Sequence, residues 1–447
     1  MRTLLIATNR HNRWMSREEV RPLPIGLAYV AAWIDPERHP LRVMDLMFSD
    51  DYLEDTEAVV RKFKPQLVGL SLRNLDNGSY INPQSALPIT REVIQRIRAC
   101  SDATITCGGP AFSMLPEECF EYLEPDIGLT GDAAETFAEL LELLEQGKSY
   151  RELSGIVYRQ SGKIKTSPQR AASRLNRPPR FDELDLSQYR QAGFGVGVIT
   201  KLGWYPSTIG TPAATTTGAP GEPGEEWRVV RPISDVIREI LRLNRRYKLQ
   251  EFFFIDQAFN RPVEYAKDLC RNIIEEGLDI KWNTNLVPQG CDRELISLMV
   301  EAGCRMILLA GGTVQAPASP GETLENVEFA TRLAETQRLC DLCHSVGLKY
   351  TITQGFGEPG ETERTIRTKL AFLSTASGKD RAAHANLRVG TRLLPGTALA
   401  HQAQQEGIIH ATSDLLMPVF YITPGVRQIL LPTLEAAVKG NSKWHIM

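Results

Sequence analysis

The stretch LVGLSLRNLDN, residues 67–77, is an apolar run of strand length that stops at a polar loop. A short continuous apolar run suits a strand buried on both faces, as in a parallel sheet. The same unit recurs on either side of it. TLLIA (3–7) runs into Thr8, Asn9 and Arg10, and LRVMDL (41–46) reads as a further strand. Residues 103–107 lead into Gly108, Gly109 and Pro110, and residues 127–130 lead into Gly131 and Asp132. Between these runs, residues 25–33, 56–63 and 89–98 read as helices. Pro22 and Pro24 open the first, where proline is tolerated. Strands alternating with helices predict an α/β domain over residues 1–150, with a parallel sheet covered on both faces. Ligands of such sheets bind at the carboxyl ends of the strands, which is where the polar and glycine residues gather.

Residues 151–190 hold a small hairpin and then a Pro/Arg-rich linker. A second alternating region covers residues 191–400. Its expected strands are 197–200, 251–255, 280–282, 306–310, 348–353 and 385–389, with helices such as 233–246 and 263–276 between them. About six βα units predict a barrel or partial barrel, whose active site would lie on the loops after the strands. PAATTTGAPGEPG (212–224) is compositionally biased and reads as a flexible loop. Residues 401–447 read as a helical and irregular extension.

Composition narrows the function classes. The chain has 447 residues, 42% hydrophobic and 23% charged, with 54 acidic against 51 basic side chains, a net charge of −3. That balance gives no electrostatic footprint for nucleic acid or an anionic membrane. No apolar run approaches the roughly 18 residues of a membrane span. The N-terminal residues read as a first strand, not a signal peptide. Eight cysteines in this length do not make a disulfide scaffold. The expectation is a cytoplasmic protein with reduced thiols; its oligomeric state stays open.

The layout resembles the cobalamin-dependent radical SAM family, in which a cobalamin-binding Rossmann-like domain precedes a radical SAM barrel. The resemblance lies in PLPIGLAY (22–29), residues 65–77, CGGPAFSMLP (107–116), TKLG (200–203), WRVVRP (227–232), FFFIDQAFNRP (252–262), GFGEPGET (355–362) and TRLLPGTAL (391–399). Each is short, and their shared order covers nearly the whole chain. In that family a C-x3-C-x2-C motif follows TK-x-G and holds a four-iron–four-sulfur cluster. Here those positions are Trp204, Thr208 and Thr211. Such a cluster needs soft thiolates, so none is expected. The family also often carries a Glu that contacts the SAM ribose, where this chain has Gly312. The sequence therefore leaves SAM binding open. Cys340, Cys343 and His344 match C-x2-C-H, but they sit in an amphipathic stretch and read as two half-buried helical thiols beside a histidine.

The resemblance implies a bound cobalamin. The D-x-H-x-x-G pattern that supplies a lower histidine ligand is missing, and His39 precedes the second strand, at the wrong end of the sheet. The expected state is base-off cobalamin with no protein histidine below cobalt, a state that eases methyl transfer from the metal. Expected cofactor contacts are Thr8, Asn9, Ser71, Leu72, Arg73, Asn74, Gly108, Gly109, Pro110 and Gly131, the glycines allowing close backbone approach. Asp132 and Glu135 read as helix capping residues. Expected catalytic positions are Trp204 and Tyr205, at the former cluster site, with Asp256 and Arg392. Arg392 could pair with a substrate carboxylate or make a structural salt bridge. Gln257, Asn283, Asn285, Gln354 and Glu358 are further candidates at strand ends.

The functional expectation is a cobalamin-dependent enzyme without an iron–sulfur cluster. It would carry out methyl or alkyl transfer, or a redox-neutral rearrangement or cyclisation, on a small molecule in a biosynthetic pathway. The alternatives are a cobalamin-binding partner protein without catalysis and a SAM-binding methyltransferase lacking the cluster.

Overall fold

A computed structural model describes residues 1–8, 10, 23–168, 177–190, 196–202, 229–256, 258–310 and 327–447. The first sheet has seven strands in the order β2–β1–β3–β4–β5–β6–β7. They are β1 (Thr3–Ala7), β2 (Leu41–Asp45), β3 (Leu67–Ser71), β4 (Thr104–Gly108), β5 (Ile127–Leu129), β6 (Ile156–Gln160) and β7 (Lys163–Thr166). The pairs from β2 to β5 are parallel. The β6–β7 hairpin was expected in the linker. It instead extends this sheet, pairing antiparallel to β5.

Alternation explains why both faces are covered. Leu4, Ile6, Val68 and Leu70 share a core with Val60 of α2 (Tyr52–Phe63) and with Val93 and Ile97 of α3 (Leu87–Cys100). Their neighbours Leu5, Ala7 and Leu67 pack on the other side, with Leu27 of α1 (Ile25–Trp33) and Leu140 of α6 (Ala134–Glu145). The short helices α4 (Pro110–Met114) and α5 (Pro116–Leu123) follow β4. Strand order reverses between β1 and β3, which opens a crevice at their carboxyl ends.

Helix α7 (Leu186–Arg190) leads into the second sheet, also of seven strands, in the order β18–β15–β14–β13–β12–β11–β8. All neighbours are parallel. The strands are β8 (Val196–Val198), β11 (Glu251–Phe254), β12 (Lys281–Leu286), β13 (Cys304–Ala310), β14 (Lys349–Phe356), β15 (Ala383–Val389) and β18 (Trp444–Ile446). Two results differ from expectation. The sheet has a seventh strand, β18, contributed by the last residues of the chain. Strand β12 runs on to Leu286, so Asn283 and Asn285 lie within it rather than beyond it. Both asparagines stand on the polar side of an alternation with Trp282 and Leu286, which a short apolar reading of residues 280–282 misses.

One face of this sheet is covered by helices α8 (Ile233–Tyr247), α9 (Val263–Glu275), α10 (Arg293–Glu301), α11 (Val327–Ser345), α12 (Glu363–Ala376) and α13 (Arg427–Lys439). Phe252, Phe254, Trp282, Ile307, Ile352 and Leu387 join the helices' core. By the two-residue period of strands, their neighbours Phe253, Leu308, Thr353, Asn386 and Arg388 face the other way. This second, inner face is mostly half-buried and polar at its β14–β15 side. Two-stranded ribbons, β9 (Lys201–Leu202) with β10 (Val229–Val230) and β16 (Thr391–Arg392) with β17 (Phe420–Tyr421), flank the sheet. Among the described residues no helix is long and apolar enough to cross a membrane.

Polar side-chain contacts among the described residues join the halves. Tyr29 Oη of α1 donates to Glu239 of α8, with oxygens at 2.9 and 3.1 Å, and Glu239 pairs with Arg231 at 2.8 Å. Tyr189 Oη donates to Asp45 Oδ2 at 2.6 Å. Arg392 Nε donates to Asp76 Oδ2 at 2.7 Å. Leu394 and Leu416 also enter the first domain's core.

Candidate functional site

The β1–β3 crevice is built by loops that brace one another. Thr8 is buried. Its hydroxyl donates to Ser71 O at 3.1 Å and accepts from Thr90 Oγ1 at 3.0 Å. Leu72 N donates to Gly108 O at 2.8 Å, and Ala111 N donates to Leu72 O at 3.1 Å. Gly109 has φ +102°, and a Cβ there would lie 2.7 Å from Leu72 O. The glycine therefore lets the loop after β4 close on the loop after β3. Gly131 N donates to Ser113 Oγ at 3.0 Å, tying in the loop after β5. These contacts make one ledge along the carboxyl ends of β1, β3, β4 and β5.

The expected cofactor residues take different places on it. Arg73, Pro110 and Gly131 are exposed, and Ser71, Asn74 and Gly109 are partly exposed. Leu72 is fully buried in the first domain's core. Of this pair, Arg73 is therefore the exposed side chain. Asn9 lies outside the described residues. The Arg73 guanidinium reaches solvent but is recessed among protein atoms, and this lowers its pKa against the pull of Asp45. Asp45, at the end of β2, is pushed up to about 6 by burial, although the Tyr189 hydroxyl, the Met47 N–H and Arg73 favour its charged form. His39 sits at the opposite end of the sheet, 3.1 Å from Glu142 and 2.9 Å from the Met1 amine.

At the second sheet, Asp256 follows β11 and is buried. Its carboxylate accepts from Thr200 N at 3.1 Å, from Lys201 N at 3.2 Å and from the Thr200 hydroxyl. Lys201 Nζ lies 3.7 Å from Asp256 and donates to Phe259 O at 2.8 Å. Burial lowers the Lys201 pKa to about 8, which Asp256 only partly opposes. This group fixes the chain as it leaves β8.

Arg392 is likewise surrounded by acceptors. Besides Asp76, it donates to Leu393 O, and to Leu415 O and Leu416 O at 3.0 and 3.1 Å. Of its two sequence readings, the structure displays the salt bridge. Asn285 Nδ2 donates to Asp256 O at 3.0 Å. Gln354 lies within β14 rather than at its end and is fully buried. Glu358 and Glu361 lie 3.4 and 2.6 Å from the buried Lys369 ammonium, which braces the turn after β14. Trp204, Tyr205, Thr208, Thr211, Gln257 and Gly312 lie outside the described residues.

All eight cysteines are free. Burial pushes the thiols of Cys107, Cys270, Cys291 and Cys340 up to about 12, which keeps them protonated at neutral pH. Cys340 and Cys343 are completely buried on α11, not half-buried as their amphipathic stretch suggested. Sequence reading passed over Asp45, Asp76, Tyr189 and Arg388. A signal existed for Arg388: AHANLRV alternates strictly, placing His384, Asn386 and Arg388 on one face of β15. The other three act through partners at least 144 positions away, or 316 for Asp76, and no local pattern announces them.

Comparison with known proteins agrees with this arrangement. Residues 19–141 match the B12 binding domain. An uncharacterized methyltransferase of Pyrococcus horikoshii is 24% identical over 288 residues, 64% of this chain and 59% of that protein, so the match spans about three fifths of the relative's length. Tryptophan 2-C-methyltransferase of Streptomyces laurentii is 22% identical over 452 residues, covering 86% of this chain and 72% of the relative. The structure of the radical S-adenosylmethionine methyltransferase TsrM from Kitasatospora setae, with cobalamin and a [4Fe-4S] cluster bound, superposes with TM-score 0.77. The identity is 20%, over 100% of this chain and 93% of that one. The chain thus carries a B12-binding domain, followed by the barrel-like α/β architecture found in the cobalamin-binding radical S-adenosylmethionine enzymes.

Proposed function

We propose that this protein is a cobalamin-dependent enzyme that transfers a methyl or alkyl group to a small molecule, or rearranges one, without an iron–sulfur cluster. The observation that carries the reading is the seam between the two sheets. The ledge at the carboxyl ends of β1 and β3 abuts the open end of the second sheet, where Asp76 meets Arg392 at 2.7 Å. A cofactor on the ledge would meet a substrate on the inner face of the second sheet.

The ledge suits a large cofactor by its chemistry. It is backbone-rich, with exposed Pro110 and Gly131, and Arg73 offers it a cation. Ser71, Arg73, Asn74, Gly109, Pro110 and Gly131 would hold the corrin and its tail. Cobalamin supplies a cobalt centre able to carry a methyl or alkyl group. The chain's part is to orient and exclude: Arg73, a cation without a lone pair to donate, would lie against the cofactor and would offer cobalt no ligand. Asp45, which accepts a hydrogen bond from Tyr189, favours the charged form of Arg73 without touching it. The second sheet would bind the substrate and shield it from water. The relatives' names speak for methylation as the reaction class.

Absence of the cluster rests on the sequence: Trp204, Thr208 and Thr211 stand where thiolates are required, and the eight cysteines lie elsewhere. The test is a metal census on protein reconstituted anaerobically with hydroxocobalamin, iron and sulfide. About one cobalt and no iron per chain is expected. Stoichiometric iron would overturn the cluster-free reading, and failure to retain cobalt would overturn the whole of it.

A further inference from the structure

Basic side chains at the seam are generally engaged. Arg392 holds Asp76, Arg231 holds Glu239, Lys201 faces Asp256 and Lys369 faces Glu361. Arg388 differs. It is half-buried on the inner face of β15, and no hydrogen bond or ion pair reaches it from the described residues. Its guanidinium lies at the seam. A Cβ built on Gly78, in the first domain's loop after β3, would have Arg388 Nη2 as its nearest atom, at 4.0 Å.

The groups beside it share this condition. In the parallel register Thr353 of β14 pairs with Asn386, and Gly355 pairs with Arg388. Thr353 and Asn386 are half-buried, on the same face, and their side chains also have no partner among the described residues. Further across the face, Asn283 of β12 is 9% exposed and equally without a side-chain partner. None of their polar atoms is sealed away from solvent without a partner, so the set converges on one face beside Arg388 with its hydrogen-bonding capacity open to a ligand. At the β14 position beside Arg388, a Cβ on Gly355 would run into the Glu358 carboxylate, so the glycine makes room for that side chain, which pairs with Lys369.

We propose that Arg388, with Asn386 and Thr353, forms a subsite for the carboxylate of an otherwise apolar substrate. One guanidinium matches one planar oxyanion in charge and in fork geometry. A phosphate monoester carries nearly two charges at neutral pH, more than this subsite balances. The rest of the substrate would lie against Phe253, Met306 and Leu308, the half-buried apolar side chains of the same face on β11 and β13. The contact is a binding one, with no covalent step. It also revises the sequence reading: the arginine offered to a carboxylate is Arg388, four positions before Arg392.

This inference rests on the proposal that the inner face receives the substrate, and the experiment separates the two. Calorimetric titrations on the hydroxocobalamin-loaded protein compare three probes: 3-phenylpropionate, its neutral amide, and benzylphosphonate. The carboxylate is expected to bind, the amide at least about tenfold more weakly, since losing a charge-assisted bond is worth about 1.5–3 kcal/mol. Arg388→Gln should abolish that preference and Arg388→Lys should retain part of it. Asn386→Ala should weaken carboxylate binding while leaving the amide unaffected. Both Arg388 variants should keep the wild-type melting temperature and full cobalamin content. Equal carboxylate binding by wild type and Arg388→Gln would overturn the proposal, and so would tighter binding of the phosphonate. Loss of cobalamin without loss of the carboxylate preference would instead sink the cofactor reading and leave the subsite standing.

Discussion

A single carboxyl shows how the ledge is tuned. Asp45 sits where β2 ends, beneath the loop that carries Arg73, with its pKa raised to about 6 by burial. In the unfolded chain an aspartate titrates near 3.9. The folded protein therefore holds this proton more tightly than the unfolded chain does. Asp45 favours folding most below about pH 4, and that contribution is lost as pH rises to about 6. Because Asp45 is partly open to solvent, the loss is at most about 2 kcal/mol. Asp45→Asn should flatten the pH dependence of unfolding in that window, measured by urea denaturation at several pH values. Its stability at pH 7 should equal or exceed wild type, since Tyr189 can still donate to the amide oxygen. A slope unchanged by the substitution would show that Asp45 titrates normally.

Among the elements, the turn from β4 into α4 most directly shapes the ledge. CGGP marks in the sequence a strand end whose glycines allow close backbone approach, and in the structure α4 starts directly after Gly109. The sequence could not say what Gly109 avoids. Its close neighbour is the Leu72 backbone, 2.7 Å from a hypothetical Cβ, and its φ of +102° disfavours any L side chain. Gly109→Ala should cost on the order of 2–3 kcal/mol, from strain plus the clash. It should also lower cobalamin affinity, because the loop after β3 must shift. Gly147→Ala is the control: its φ of +64° carries similar strain, but nothing lies within 4 Å of the added methyl. That variant should lose about 1 kcal/mol and bind the cofactor like wild type. Equal effects of the two substitutions on a cobalamin titration would mean that the Leu72 contact does not shape the ledge.

Across the whole molecule, the regular parts were legible because periodicity and glycine-proline punctuation are local. Both α/β regions, most strands of the first sheet and the polar strand ends were readable from runs such as TLLIA and LVGLSL. What was not readable depends on distant partners. Strand β18 is three residues, WHI, and becomes a strand only because the edge of β15 receives it and Trp444 Nε1 reaches Ser377 at 2.8 Å. Arg392 looked available in TRLLPGT because Asp76 and the carbonyls of Leu415 and Leu416 come from remote segments. Such long-range ties link the two halves. The strongest is the buried set Tyr29–Glu239–Arg231, in which all three side chains are at most 3% exposed. Removing one partner of a buried pair leaves the other charge uncompensated, which costs about 3–5 kcal/mol. Glu239→Ala should therefore destabilise by about that much, whereas Tyr29→Phe, which removes a hydrogen bond but no charge, should cost about 1–2 kcal/mol. Because Tyr29 belongs to the first domain and Glu239 to the second, hydrogen exchange should speed up in both sheets. Peptides covering β3 and β12 should respond together in Glu239→Ala. Faster exchange confined to β12 would mean that the halves unfold independently, and the seam would then be too loose to hold a ledge-bound cofactor at a fixed height over the inner face.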